Sequence, residues 1–244
     1  MKTYGLIGFP LTHSFSKKYF TDKFQREERT DCIYQNFPLE KIDEVEQLFS
    51  SNPDLAGLNI TIPYKEVILP YLDECTEVVK ETGACNCIRI INGEKIGYNT
   101  DVIGFGTSLD TQLKSSHQKA LVLGTGGAAK AVCYALKLRN ISYLQISRNP
   151  ENSNQIAYSE IDKELLQSHT LIINTTPLGM FPNTDACPAI PYEHLTDNHY
   201  LFDLVYNPAL TLFLQKGMAA GAVVKNGTDM LAIQAEASWE IWNS

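Results

Sequence analysis

The sequence predicts an α/β protein of two units, the second built on a doubly wound parallel sheet. Three observations carry this reading. From Ala120 onward, short apolar runs alternate with helical stretches, the order that builds a parallel sheet. A glycine-rich loop joins the first of these runs to the helix after it. The residues before Ala120 carry strand, helix and hairpin signals of their own, enough for a separate α/β unit. No Pro- or Ser-rich linker divides the two. The boundary is read into a helix from about Val102 to Leu113, placing the units at residues 1–101 and 102–227.

Composition narrows the function. The 244 residues are 44% apolar with a net charge of −8, so a core is available. No Lys/Arg cluster stands out, which argues against nucleic acid or an anionic membrane as partner. No apolar run is long enough to span a bilayer. The run Lys2 to Leu11 is short, is broken by Gly5, Gly8 and Pro10, and has no cleavage site, so it is not read as a signal peptide. Six unevenly spaced cysteines then read as reduced thiols of a cytoplasmic protein. Cys85-x-Cys87 lacks further ligands at matching spacing, and no histidine pair supplies them. No metal is expected; the two thiols read as small apolar residues on one strand face.

The elements follow in order. Thr3 to Gly8 reads as a strand, Phe9 to Ser16 as a loop, and a helix starts near Lys17. Ser14 and Ser16 at that start suit an anionic ligand group, although serine there is commonly an N-cap, and local evidence favours the cap. Further on, Leu58, Ile60 and Ile62 make one face of a strand, and Asn59 and Thr61 the other. Pro63 ends it. Lys65 follows just past the end, where α/β active sites usually lie. Asn92-Gly93 between β-rich runs is a strong hairpin signal, because a type I′ turn needs positive φ at both central residues. Pairing Ile91 with Glu94 puts Asn86 opposite Asn99. Asn86, Asn99 and Asp101 should then share a face, unless they merely cap strand ends. A lysine at 65 and a carboxylate at 101 would form a proton-handling pair if the fold joins them.

In the second half, Ala120 to Leu123 is a buried-strand run, followed by Gly124-Thr125-Gly126-Gly127-Ala128-Ala129 and a helix from Lys130 to Leu138. The glycines let the backbone turn and approach a pyrophosphate, which rests on the helix N-terminus. The next strand, Ile141 to Ile146, ends in Ser147-Arg148-Asn149 without the acidic residue that would hold a ribose 2′-hydroxyl. Ser147 and Arg148 suit a 2′-phosphate, so NADP is favoured over NAD. Strands at Leu171 to Asn174 and Tyr200 to Tyr206 follow. A helix from Thr211 to Ala220, a short strand from Ala222 to Lys225, and a final helix from Gly227 to Trp242 complete the chain.

Ordered along nearly the whole chain stand Ser14-x-Ser16, Asn59-x-Thr61-x-Pro63-x-Lys65, Gly83-Ala84-x-Asn86, Asn99-Thr100-Asp101-x-x-Gly104 and Gly124-x-Gly126-Gly127-Ala128. After them come Asn174-x-Thr176-Pro177-x-Gly179-Met180, Asp203-x-Val205-Tyr206-x-Pro208-x-x-Thr211 and Gly227-x-x-Met230-Leu231-x-x-Gln234. This set resembles the shikimate dehydrogenase family. The resemblance implies an N-terminal α/β substrate domain, a C-terminal Rossmann-like NADP-binding domain, and a final helix, about 228–244, packing back on the first. It implies reversible reduction of 3-dehydroshikimate to shikimate, on the route to chorismate and the aromatic amino acids, by a monomer or homodimer.

By the same resemblance Lys65 and Asp101 are the catalytic pair, and both also touch substrate. Ser14 and Ser16 bind its carboxylate. Thr61, Asn86 and Gln234 bind the carboxylate edge or ring hydroxyls, and Tyr206 closes the carboxylate side. Gly124, Thr125, Gly126, Gly127 and Ala128 hold the pyrophosphate. Ser147, Arg148 and Asn149 take the adenosine phosphate end, and Leu204 and Gly227 lie near the nicotinamide. Two departures stand out. Cys85 and Cys87 replace an aliphatic and a threonine, with little effect expected because they face away from Asn86. No second basic residue follows Arg148, while Glu151 does, which weakens the expected NADP preference. A quinate-oxidising relative using NAD, and a non-catalytic ligand sensor on the same fold, are the alternatives.

Overall fold

The computed structural model describes residues 1–11 and 15–244. They form two compact units, residues 1–101 with 232–244, and residues 102–231. The first contains β1 (Lys2–Gly8), α1 (Phe15–Arg26), β2 (Cys32–Pro38), α2 (Glu44–Ser51), β3 (Leu55–Ile60), β4 (Glu74–Cys75), α3 (Glu77–Thr82), β5 (Cys87–Ile91) and β6 (Glu94–Tyr98). Its six strands are ordered β2-β1-β3-β5-β6-β4. β1 runs parallel to β2 and β3, whereas β5 is antiparallel to both β3 and β6.

The period-2 alternation of strands divides the core of this unit between the two sheet faces. Ile7, Leu58, Ile60 and Ile88 join one cluster with Val45 and Leu48 of α2. Tyr4, Leu6 and Cys87 join the other, with Phe20 and Phe24 of α1. β2, α2, α3 and β4 were not singled out by the sequence patterns, because their runs are short and mixed in polarity.

The hairpin forms as the Asn92-Gly93 signal requires. Asn92 and Gly93 have φ of 52° and 85°, and Ile91 pairs with Glu94. Two local expectations fail. β3 ends at Ile60, so Ile62 leaves the apolar face and is 70% exposed. The shared face of Asn86, Asn99 and Asp101 does not extend that far, since β6 stops at Tyr98 and Asp101 already opens a helix. Asn99 instead donates to the carbonyl of Ala84 at 2.9 Å.

The second unit holds most of α4 (Asp101–Asp110), then β7 (Lys119–Leu123), α5 (Gly127–Lys137), β8 (Ser142–Ser147), β9 (Gln155–Ala157), α6 (Lys163–Ser168), β10 (Leu171–Asn174), β11 (Tyr200–Asp203), α7 (Leu212–Ala219) and β12 (Val223–Lys225). The order β12-β11-β10-β7-β8-β9 is parallel throughout. Reading out from β7, the chain goes one way through β8 and β9 and then the other way from β10. That is the doubly wound arrangement, with its switch point at the end of β7. β11 is shorter than expected, because Asp203 turns its carboxylate onto the following loop.

The final helix α8 (Thr228–Asn243) begins in the second unit and continues in the first. There Ala235, Trp239 and Trp242 pack with Tyr4, Phe20 and Tyr34. Trp242 stacks on Tyr4 at 4.9 Å and donates its indole N–H to the Ile88 carbonyl at 2.9 Å. Gly57 makes room for it: a Cβ there would lie 2.3 Å from the indole. Lys23, buried on α1, pairs with Glu236 of α8 and with Glu27, each at 2.8 Å.

Candidate active site

Lys65 comes from the turn after β3. Thr61 N–H donates to Ile7 O and its carbonyl accepts from Tyr64 N–H, both at 2.9 Å, which brings the chain back over the sheet edge. The Lys65 carbonyl then accepts from Cys85 N–H at 2.7 Å. Asp101 stands in the first turn of α4, where helix N–H groups favour a carboxylate. Lys65 Nζ meets Asp101 Oδ2 at 2.5 Å, with side-chain exposures of 17% and 9%. An ammonium and a carboxylate that are shielded but still reachable can hold and deliver a proton.

Asn86 lies between them in the chain, just before β5. Its Oδ1 accepts Thr100 N–H at 2.6 Å, and its Nδ2 donates to Thr100 Oγ1 at 3.1 Å. Thr61 is half-buried at the same end of β3. Ser16, in the first turn of α1, stands beside the Tyr34 phenol. Gln234 is buried on α8, within the first unit. Ser14 lies outside the described residues. The fold therefore joins Lys65 to Asp101 directly and sets Asn86 and Thr61 at the same end of β3.

Cys85 and Cys87 do not share a face. Cys85 packs in the cluster with α2 and Cys87 in the cluster with α8. Burial pushes the Cys85 thiol up to about 12 and raises that of Cys87 as well. Cys87 pairs in register with Asn59 and touches the Ser238 hydroxyl, so it is nearer the polar groups than expected.

In the second unit the glycine loop follows β7. Gly124 has φ of 118°, open to glycine and disfavoured for other residues. Gly126 precedes α5 with no side-chain cap, and the first helical bond is Lys130 N–H to Gly126 O. A Cβ on Gly126 would meet nothing within 4 Å. An uncapped helix start beneath open space fits a dinucleotide pyrophosphate. Thr125 is exposed there, and Gly127 and Ala128 are half-buried.

At the end of β8 the Ser147 hydroxyl is committed to its own turn, donating to Asn149 O at 2.9 Å and standing 3.1 Å from Asn149 N. Arg148 and Asn149 are exposed. Leu204 and Gly227 touch: a Cβ on Gly227 would sit 2.3 Å from Leu204 O. Tyr206 is half-buried beyond β11. The loop between them is tied by Asp203, which accepts from Asn174 Nδ2 (2.9 Å), Val205 N–H (3.0 Å) and Thr211 Oγ1 (2.5 Å). Burial nevertheless raises the Asp203 carboxyl to about 6.

The sequence patterns left three groups beneath the site without a role: Tyr34, Ser238 and the side chain of Asn59. Asn59 carried a signal, as a polar residue in the otherwise apolar β3, whereas Tyr34 and Ser238 lie in elements of mixed polarity.

Residues 6–88 match the family described as "Shikimate dehydrogenase substrate binding domain". A protein of Methanococcus maripaludis named shikimate dehydrogenase (NADP(+)) is 35% identical over 99% of this chain and 91% of its own length. The solved structure of a Thermus thermophilus shikimate 5-dehydrogenase in complex with NADP(H) and shikimate superposes with a TM-score of 0.87 at 27% identity, over 99% of this chain and 93% of that one. A Corynebacterium glutamicum quinate dehydrogenase in complex with NAD also gives 0.87, at 26% identity over 99% and 93%.

Proposed function

We infer the activity from one premise: the chain belongs to the shikimate dehydrogenase family. It is an oxidoreductase that reduces 3-dehydroshikimate to shikimate with NADPH, reversibly, in the biosynthesis of chorismate and the aromatic amino acids. The observation that carries the chemistry is the Lys65–Asp101 contact at 2.5 Å, between groups 36 residues apart.

Bound NADPH supplies hydride to the ring ketone carbon. As negative charge builds on the ketone oxygen, Lys65 gives it a proton from Nζ; in the reverse direction Lys65 takes the hydroxyl proton. Asp101 aims the ammonium and balances its charge. Ser14 and Ser16 take the substrate carboxylate, Thr61, Asn86 and Gln234 pair with its edge and the ring hydroxyls, and Tyr206 closes the carboxylate side. A site that pairs each hydroxyl rejects an analogue lacking one, because its own polar groups are left unsatisfied. Gly124, Thr125, Gly126, Gly127 and Ala128 hold the pyrophosphate, with Leu204 and Gly227 beside the nicotinamide. Ser147 and Asn149 shape the turn that offers Arg148, and recognition of the 2′-phosphate rests on that one guanidinium.

The test follows NADPH oxidation with 3-dehydroshikimate, alongside NADH, and the reverse reaction with shikimate and quinate. Rapid loss with NADPH and slower loss with NADH is expected. Turnover confined to quinate and NAD would move the protein to the quinate-oxidising class. Shikimate binding without turnover by either cofactor would make it a ligand sensor.

A further inference from the structure

A buried polar chain runs through the first unit beneath the candidate site. The Ser16 hydroxyl stands beside the Tyr34 phenol. Tyr34 Oη donates to Asn59 Oδ1 at 2.8 Å, and Asn59 Nδ2 donates to Ser238 Oγ at 2.9 Å. Ser238 Oγ lies 3.2 Å from Thr100 Oγ1, which accepts from Asn86 Nδ2 at 3.1 Å. Tyr34, Asn59, Thr100 and Ser238 are each 5% exposed or less, so water cannot substitute for a lost partner among them.

Counting hydrogens gives the chain a direction. A serine hydroxyl has one hydrogen and two lone pairs. Ser238 spends its hydrogen on the Gln234 carbonyl, one turn back on α8, at 2.9 Å. Its lone pairs therefore accept, one from Asn59 and one from Thr100. Asn59 must then point Nδ2 at Ser238 and Oδ1 at Tyr34. Tyr34 spends its hydrogen on Asn59, so its oxygen can only accept, with the Ser16 hydroxyl beside it. Thr100 spends its hydrogen on Ser238, so its oxygen can only accept from Asn86. That holds the Asn86 carboxamide with Oδ1 on Thr100 N–H and one Nδ2 hydrogen on Thr100 Oγ1, leaving the other Nδ2 hydrogen to offer a ligand. The Cys87 thiol beside Ser238 is too weak a partner to change this order.

We propose that Ser238 is a positioning residue for the substrate: with its hydrogen and both lone pairs used, it sets the direction of these bonds and holds one Asn86 N–H ready for a ring hydroxyl. This rests on the reading that Asn86 binds such a hydroxyl. Without the Ser238 oxygen, Thr100 turns its hydrogen to Asn86 Oδ1, 3.2 Å away. Asn59 loses an acceptor, and the Asn86 carboxamide loses its single orientation.

The experiment uses the full chain as wild type, Ser238→Ala, and Ser238→Cys, which keeps the shape of the side chain with a somewhat larger atom while replacing a strong hydrogen-bonding group by a weak one. Shikimate affinity is measured by calorimetry, and KM for shikimate and NADP with kcat by turnover. In both variants the shikimate KM and dissociation constant should rise about tenfold, while kcat and the NADP KM stay within about twofold. Thr100→Val should have a similar effect that adds little to Ser238→Ala in a double-mutant cycle, and Thr100→Ser should bind shikimate as wild type does. Unchanged shikimate affinity in either folded Ser238 variant, full additivity with Thr100→Val, or equal losses toward both ligands would overturn the proposal. If the wild type bound shikimate without turning it over, the reaction assigned above would fail, and calorimetry would still decide the role of Ser238. No shikimate binding at all would overturn both.

Discussion

Lys65 is held from two sides, its carbonyl by Cys85 N–H and its ammonium by Asp101. Lys65→Ala keeps the backbone hydrogen bond and should still fold, with a lowered melting temperature because the buried Asp101 carboxylate loses its partner. Turnover should fall by roughly 10²–10⁴-fold, the usual worth of a positioned proton donor. Near wild-type turnover in steady-state assays would remove Lys65 from the chemistry. Arg148 tests the other end of the reaction. With the Ser147 hydroxyl spent on its turn, Arg148→Ala should raise the NADPH KM by about tenfold or more and leave the NADH KM unchanged. An equal rise for both cofactors would place Arg148 outside phosphate recognition.

At the scale of elements, α8 is held by its apolar face. Trp242 stacks on Tyr4, fits the space left by Gly57 and donates to Ile88 O. Trp242→Ala should cost about 3–5 kcal/mol in denaturant unfolding. A cost below about 1 kcal/mol, the range of surface substitutions, would mean that α8 does not dock as described. The loop before β7 carries a different dependence. His117 Nδ1 accepts Lys114 N–H at 3.0 Å, and Nε2 lies 3.3 Å from Asn198 O. This arrangement needs the neutral ring. Burial lowers the His117 pKa from 6.5, against the Asn198 bond, with Lys114 and His199 acting in the same direction as burial. The unfolded chain takes up that proton near pH 6.5 while the folded chain does not. Stability from this site is complete above pH 6.5 and is lost as pH falls through it toward the folded value. Melting followed from pH 7.5 to 5.5 should show the loss, and His117→Asn should reduce it. An unaltered pH slope in that variant would assign the loss elsewhere.

Across the whole molecule, the chain leaves its first unit at Asp101 and returns to it at Ala232. The first unit therefore buries two tryptophans from the far end of the sequence. A chain ended at Leu231 should lose the cooperative melting of that unit, because each missing indole is worth about 3–5 kcal/mol against a typical total of about 5–15. The second unit keeps its own six-stranded sheet and should still melt. Circular dichroism with limited proteolysis distinguishes the two, and intact protection of residues 1–101 would contradict it.

By itself, the sequence determined what depends on neighbours along the chain. The Asn92-Gly93 turn, the glycine loop between strand and helix, and the alternation that builds the parallel sheet are local, because positive φ, backbone approach and side-chain period act over a few residues. From those came the hairpin register, and from its spaced motifs the expectation that Lys65 and Asp101 act together. Only the tertiary structure decided where β3 stops, that Asn99 serves Ala84, and that Cys85 and Cys87 lie in different cores. It also decided the partners of Ser238. No spacing rule brings Ser238 to Asn59 and Thr100, which lie 179 and 138 residues away. The partner of a buried hydroxyl is chosen by packing, and a buried hydroxyl must find one.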